Sequence, residues 1–255
     1  MNRIAEAARF IADARRARRV LSLLPEAIRP RDVAEAYSVQ NAVHALLGAR
    51  RLGTKIGCTT KVMQDYLGIP SPCSAGVFAD GVRESGVILR FDDYRRIGIE
   101  CEIAVRLGRD LSAGPFDAAN VVSAADAYMA AVEIVDDRYA DWRTTDTPTL
   151  IADDFFAAGA VFGTPVPARG VDPAAWVGVT KINDAEAGRG TGADVMGHPL
   201  NALAWLANDF ATRGAVVRAG DIVLLGSLVE TRWLARGDRA EIAISGLGEV
   251  ALSVI

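Results

Sequence analysis

Apolar residues recur at helical spacing from the start of the chain. Ile4, Ala8, Ile11 and Ala14 share one face and predict a first helix. A second helix is marked at its start, where Asp32 and Glu35 after Pro30 predict a capping box. Val33, Ala36, Tyr37, Gln40, Val43 and Leu47 then follow one face, and Gly53 reads as the end of this region. A short helix over 62–67 is expected to stop at Gly68 and Pro70. From about residue 76 the period changes to two. Ile99, Cys101, Ile103, Val105 and Leu107 alternate with Glu100, Glu102, Ala104 and Arg106, as in a strand with one apolar face. Further strands are predicted over 129–135, 159–162, 177–182, 222–225, 240–244 and 250–254. One helix interrupts them, with Pro199 in its first turn and Leu200, Leu203, Leu206 and Phe210 on one face before Gly214. Helices first and strands after predict an α+β fold. The chain reads as a mainly helical region, 1–75, and a β-rich body, 76–255, forming one continuous unit.

Composition narrows the class. The 255 residues can bury a sizeable core, and 51% apolar with 24% charged residues excludes a disordered or collagenous chain. A net charge of −4 argues against nucleic acid as a partner. The basic cluster Arg15, Arg16, Arg18 and Arg19 reads as a solvated helix face. No apolar run approaches the roughly 20 residues of a membrane span. The opening Met-Asn-Arg-Ile-Ala-Glu carries charges where a signal peptide needs an apolar stretch, so a cytoplasmic location is expected. Cys58, Cys73 and Cys101 lack metal or redox spacing and read as core residues in a reducing compartment. Two histidines, His44 and His198, are too few for a histidine-built zinc site, and His198 reads as a neighbour of the cap before Pro199. Any metal must be held by oxygen. Only Lys55, Lys61 and Lys181 among the 28 basic residues are lysine. Drift toward arginine accounts for the excess, but a lysine can lose its proton when desolvated and an arginine effectively cannot. Lys181, at the end of a strand pattern, reads as a solvated or paired surface residue.

The candidate chemistry begins with Glu100 and Glu102. Two residues apart on a strand, they share a face, with Cα atoms roughly 6.5–7 Å apart. Both could simply face water. Glu133, between Val132 and Ile134, adds a third acid in an apolar strand, and Asp136 and Asp137 follow. Three carboxylates on two strands suit a hard cation, Mg²⁺ or Mn²⁺. Lys55-Ile56-Gly57-Cys58-Thr59-Thr60-Lys61 places two hydroxyls before a helix, as a plain cap or as a seat for an anion. Asp80, in Phe-Ala-Asp-Gly, reads alone as a turn residue. Gly226-Ser227 follows a strand, where it could present an N–H or hydroxyl to a substrate or simply end the strand.

These segments together resemble the 2-keto-4-pentenoate hydratase/4-oxalocrotonate decarboxylase group of the fumarylacetoacetate hydrolase superfamily. The resemblance rests on Lys-Ile-Gly-Cys-Thr-Thr-Lys, Phe-Ala-Asp, Ile-Glu-Cys-Glu-Ile-Ala with Leu-Gly-Arg-Asp-Leu, and Val-Glu-Ile-Val-Asp-Asp-Arg. His-Pro-Leu-Asn-Ala and Ala-Gly-Asp-Ile-Val-Leu-Leu-Gly-Ser extend it, so that it spans about residues 30–255. It implies a mixed, rolled β body around a metal, flanked by helices, and a homo-oligomer. It implies Glu100, Glu102 and Glu133 as metal ligands, Lys55 beside the metal and Asp80 across the pocket as the acid/base pair. Asp153 matches a family Asp that is often followed by Asn; here Asp154 follows. Thr59, Thr60, Asp153 and Ser227 are the candidate substrate contacts. The implied substrate is a small 2-oxo acid or its enol, and the implied reaction is hydration of a 2-hydroxy-2,4-dienoate in aromatic catabolism. A decarboxylase of the 4-oxalocrotonate type is the alternative, followed by an acylpyruvate hydrolase or a non-catalytic partner subunit.

Overall fold

A computed structural model of the chain describes residues 2–255. Helix α1 (Arg3–Arg16) is capped by Asn2, whose side chain accepts from Ile4 N at 3.1 Å. In α2 (Val33–Leu47), Asp32 accepts from Glu35 N at 2.8 Å. Glu35 does not close the box on Asp32, because its carboxylate accepts from Arg31 N instead. The helix ends at Gly48, in the left-handed region, and not at Gly53. Gly53 lies inside a strand, β1 (Arg51–Gly57), which is followed by α3 (Lys61–Leu67) and β2 (Cys73–Phe78). Strand character therefore begins at Arg51 and not near residue 76, and the boundary drawn at 75/76 falls within β2. A Cβ at Gly53 would sit 1.7 Å from the carbonyl oxygen of Ile222, so only glycine admits this neighbour.

The remaining elements are β3 (Val82–Glu84), β4 (Val87–Leu89), β5 (Ile97–Leu107), α4 (Ala118–Val121), β6 (Ala125–Asp136), α5 (Thr147–Ala152), β7 (Ala157–Phe162), β8 (Val166–Pro167), β9 (Val177–Ile182), β10 (Ala185–Thr191), α6 (Pro199–Thr212), β11 (Ile222–Trp233), β12 (Arg239–Ile244) and β13 (Gly248–Val254). Each strand expected from residue 97 onward is present, and β11 runs on to Trp233. His198 is the N-cap of α6, with Nδ1 accepting from Leu200 N at 3.0 Å.

The strands form two sheets. The larger has the order β2-β1-β11-β5-β6-β7-β3, with β8 paired to β6; the smaller has the order β10-β9-β12-β13-β4. Ile99, Cys101, Ile103 and Val105 of β5 are buried in one cluster with Ile242, Val250 and Leu252 of the smaller sheet. The main core thus lies between the sheets, with α6 packed along it. The period of two then sends Glu100, Glu102 and Ala104 to the other face of β5. There Ala104 packs with Met129, Ala131, Ala160, Leu224 and Val77. The acids stand on this second, smaller-residue face.

The N-terminal helices close over one side of the site. Ala8, Ile11, Val39 and Val43 of α1 and α2 bury Ala152, and Ala14, Ala36 and Tyr37 join Leu150, Ile151 and Phe155. Gln40 ties α2 to both neighbours, donating to Ser74 O at 3.0 Å and Ile151 O at 2.8 Å. The segment following α5 is therefore held between the helices and the larger sheet.

Candidate active site

Antiparallel pairing of β5 and β6 sets Glu100 directly opposite Glu133. Carboxylate oxygens of Glu100, Glu102 and Glu133 all lie within 4.8 Å of one another. Glu102 and Glu133 are buried, and Glu100 is half-buried. Neighbours supply little compensation. Glu102 Oε2 accepts from Gly226 N at 2.9 Å, while its Oε1 is buried without a hydrogen-bond partner. Thr231 Oγ1 donates to Glu100. Glu133 Oε1 lies 3.1 Å from Lys55 Nζ in an ion pair without hydrogen-bond alignment, and Oε2 has no partner. Orphaned oxygens on converging buried acids are what a divalent cation would satisfy. The residues present fit that group.

Burial and Glu100 push the Glu133 carboxyl up to about 7, with Lys55 opposing them. Burial, Glu133 and Glu100 raise Glu102 well above the carboxylate range. The native protein therefore binds these protons more tightly than the unfolded chain does. Metal-free stability falls as pH rises from the ordinary carboxylate value of 4.5 to about 7. A cation competes with the same protons, so its affinity rises across that window. Calorimetric titration with Mn²⁺ is expected to show tighter binding at about pH 7.5 than at about pH 5.5; an affinity independent of pH would contradict this.

Lys55 lies on β1 beside the acids and is buried. Burial alone would lower its pKa, but Glu133 and Glu100 outweigh burial and hold it charged. Its ammonium donates to Phe155 O at 2.9 Å. That carbonyl belongs to three consecutive left-handed residues, Asp154, Phe155 and Phe156, with φ of 59°, 46° and 69°. Such backbone costs about 1–3 kcal/mol per residue and persists only where its surroundings hold it. The other two lysines pair elsewhere: Lys61 with Asp65 at 2.6 Å on exposed α3, and Lys181 with Glu241 at 3.6 Å.

A cavity of about 250 Å³ has Lys55 and Glu133 in its wall, together with Asp80, Asp154, Arg15 and Arg16. Its apolar wall combines the small residues Gly76, Ala157, Ala158 and Gly159 with Leu47, Val77, Phe78 and Leu224. Asp80 is exposed at this cavity, so it shares a space with Lys55. All four expected substrate contacts fall outside that wall. Thr60 is exposed and caps α3, accepting from Met63 N at 3.4 Å. The Ser227 hydroxyl donates to Val229 O at 2.6 Å, and the N–H of Gly226 is taken by Glu102. Asp153 is fully buried behind the cavity and already bound by Arg15, Arg138 and Tyr139. Thr59 is half-buried, and its side chain occupies the space a Cβ on Gly226 would need, 2.6 Å from that position.

Several site residues escaped the sequence reading. Arg15 is not on a solvated face; its side chain is 15% exposed and binds both Asp153 and Asp154. His44 Nε2 lies 2.7 Å and 2.9 Å from the two oxygens of Asp154, which also accepts from Gly76 N at 3.3 Å. Burial would raise the Asp154 carboxyl, but Arg15 and His44 hold it below the usual range. The unexpected acid at 154 was one signal for this cluster. All three cysteines are free; Cys73 and Cys101 are buried, and half-buried Cys58 lies 3.7 Å from Cys73, sulfur to sulfur.

Residues 79–255 match the family model for the fumarylacetoacetate hydrolase C-terminal region. A 2-keto-4-pentenoate hydratase from Paraburkholderia phymatum is 35% identical, over 99% of this chain and 97% of the relative. The TodF product hydratase of Pseudomonas putida is 38% identical, over 86% of this chain and 83% of the relative. In fold the chain matches 4-oxalocrotonate decarboxylase from Pseudomonas putida G7, solved with magnesium and adipate. That match has a TM-score of 0.94 at 25% identity and covers 100% of this chain and 99% of the other.

Proposed function

The chain belongs to the fumarylacetoacetate hydrolase family, and from that premise we propose a metal-dependent hydro-lyase that adds water to a 2-hydroxy-2,4-dienoate, giving a 4-hydroxy-2-oxo acid. One observation carries the reading: three converging carboxylates with orphaned oxygens beside a buried, charged lysine. Relatives named 2-keto-4-pentenoate hydratase and 2-hydroxyhexa-2,4-dienoate hydratase support the substrate class, and a role in the breakdown of aromatic compounds is part of the same proposal. Glu100, Glu102 and Glu133 would hold Mg²⁺ or Mn²⁺. When bound, that ion supplies a Lewis acid that stabilises negative charge developing on the 2-oxo group.

The chain's own groups do the rest. Lys55, 3.1 Å from Glu133, offsets the surplus negative charge of three glutamates and donates to the substrate's carboxylate or enolate oxygen. Held beside the acids by Glu133 and the Phe155 carbonyl, it serves as hydrogen-bond donor and proton source. Asp80, on the same cavity, is the group that takes up or returns a proton at carbon. The small side chains of Ala157 and Ala158 leave room for an uncharged tail. The same reading places a homo-oligomer in the cytoplasm, where its free thiols stay reduced.

A decarboxylase is the second reading, favoured by the fold match with 4-oxalocrotonate decarboxylase. Against it, the named hydratase relatives are more similar in sequence, at 38% and 35% identity against 25% for the decarboxylase. Neither histidine is set to activate water as a hydrolase requires, since His44 binds Asp154 and His198 caps α6. Purified protein with Mg²⁺ or Mn²⁺ is expected to hydrate 2-hydroxypenta-2,4-dienoate and to release no CO₂ from 2-oxohex-3-enedioate. Release of CO₂ without hydration would overturn the hydratase in favour of the decarboxylase.

A further inference from the structure

We propose that Arg15, on the N-terminal helix, is a positioning residue for Lys55: it holds the left-handed turn at 154–156 whose Phe155 carbonyl fixes the lysine's ammonium. This rests on Lys55 belonging to the active site. Three successive non-glycine residues in the left-handed region do not persist unaided. On the sheet side, Arg138 grips the turn, donating to Asp153 Oδ2 at 3.0 Å, Asp153 O at 2.8 Å and Ala157 O at 3.0 Å. On the helix side, Arg15 bridges two adjacent acids, with Nε 2.6 Å from Asp153 Oδ1 and Nη1 3.0 Å from Asp154 Oδ2. His44 and Gly76 N reach only Asp154, and Tyr139 only Asp153.

A planar guanidinium with two directed N–H groups fixes the relative orientation of two neighbouring carboxylates, which a single ammonium cannot do. Orienting Asp153 and Asp154 sets the backbone entering Phe155. Its carbonyl lies 2.9 Å from Lys55 Nζ, and that nitrogen lies 3.1 Å from Glu133. A continuous run of contacts thus joins α1 to the acid cluster. Helix α1, like Lys55 itself, lies outside residues 79–255 matched by the family model, whereas Asp153 and Asp154 lie within them.

Arg15 also borders the cavity, and its Nη2 is buried with no partner. Direct contact with substrate is therefore the competing role, and steady-state constants separate the two. If Arg15 positions Lys55, Arg15→Ala lowers kcat by about 10- to 100-fold, with KM changed less than about threefold. Arg15→Lys, which can reach one carboxylate at a time, recovers part of the loss. Mn²⁺ affinity stays at the parent value in both. With only three lysines in the chain, ¹⁵N-lysine side-chain NMR gives a direct readout. The Lys55 ammonium signal, protected in the parent, is expected to broaden or vanish in Arg15→Ala. An unchanged kcat, or a loss confined to KM with the Lys55 signal unmoved, overturns the proposal. Should Arg15→Ala fail to fold, Arg15→Lys and Asp154→Asn carry the same measurements. If the parent protein hydrates no dienoate, the hydratase reading fails, while the NMR and Mn²⁺ arms still decide whether Arg15 positions Lys55.

Discussion

Glutamine at Glu102 is expected to abolish turnover and weaken Mg²⁺ or Mn²⁺ binding by about 100-fold or more, while leaving the metal-free protein at least as stable as its parent. Glu102 is fully buried, with one oxygen on Gly226 N and the other without a partner. Burial, Glu133 and Glu100 all raise its carboxyl, so ionising it in the metal-free protein is unfavourable. Glutamine keeps the oxygen that Gly226 needs and removes the repelling charge. A site that destabilises its own fold when empty is maintained for function. Melting temperatures in chelator and in Mn²⁺ check this. The parent should gain markedly on adding Mn²⁺ and Glu102→Gln should not. A variant that still gains, and still turns over, would remove Glu102 from the ligand set.

Methionine at Lys55 is expected to slow turnover by about 10²- to 10⁴-fold, the usual range for a positioned proton-transfer group, with metal binding retained or tightened. The ammonium lies 3.1 Å from Glu133, so its loss removes a cation that competes for that carboxylate. The metal-free variant should be destabilised, because a buried acid is left unpaired, and the measurements therefore belong in saturating Mg²⁺. Arginine should not rescue. A guanidinium is bulkier, and the 2.9 Å bond to Phe155 O fits a compact point charge. Turnover near the parent rate with either residue would contradict the role of Lys55.

The acid cluster was legible because a period of two leaves no freedom: once Ile99, Cys101 and Ile103 face the core, Glu100 and Glu102 must share the other face. Glu133 stood out as a charge inside an apolar strand. The strand carrying Lys55 was not legible. Arg-Leu-Gly-Thr-Lys-Ile-Gly has no alternation, and Gly53 looked like an element end when it is the point of closest approach to Ile222. Arg15 was misread from its company of arginines, although its own spacing was informative. It continues Ala8 and Ile11 at helical intervals, which puts it on the buried face of α1. Its partners lie well over a hundred residues away, and no local pattern announces such a pair. Ser227 and Thr60 were plausible as substrate contacts by residue type. In three dimensions their hydroxyls serve a bulge and a helix cap.

Incubating the protein with 2-hydroxypenta-2,4-dienoate in ¹⁸O-labelled water, with and without Mn²⁺, tests the hydratase most directly. Label at the 2-oxo group is first exchanged back out in ordinary water, leaving only oxygen added to carbon. The expected result is ¹⁸O at the C4 hydroxyl of a 4-hydroxy-2-oxo acid, formed with Mn²⁺ and absent in chelator. Unlabelled or unhydrated product in the presence of Mn²⁺, or equal labelling in chelator, would contradict a metal-dependent hydratase.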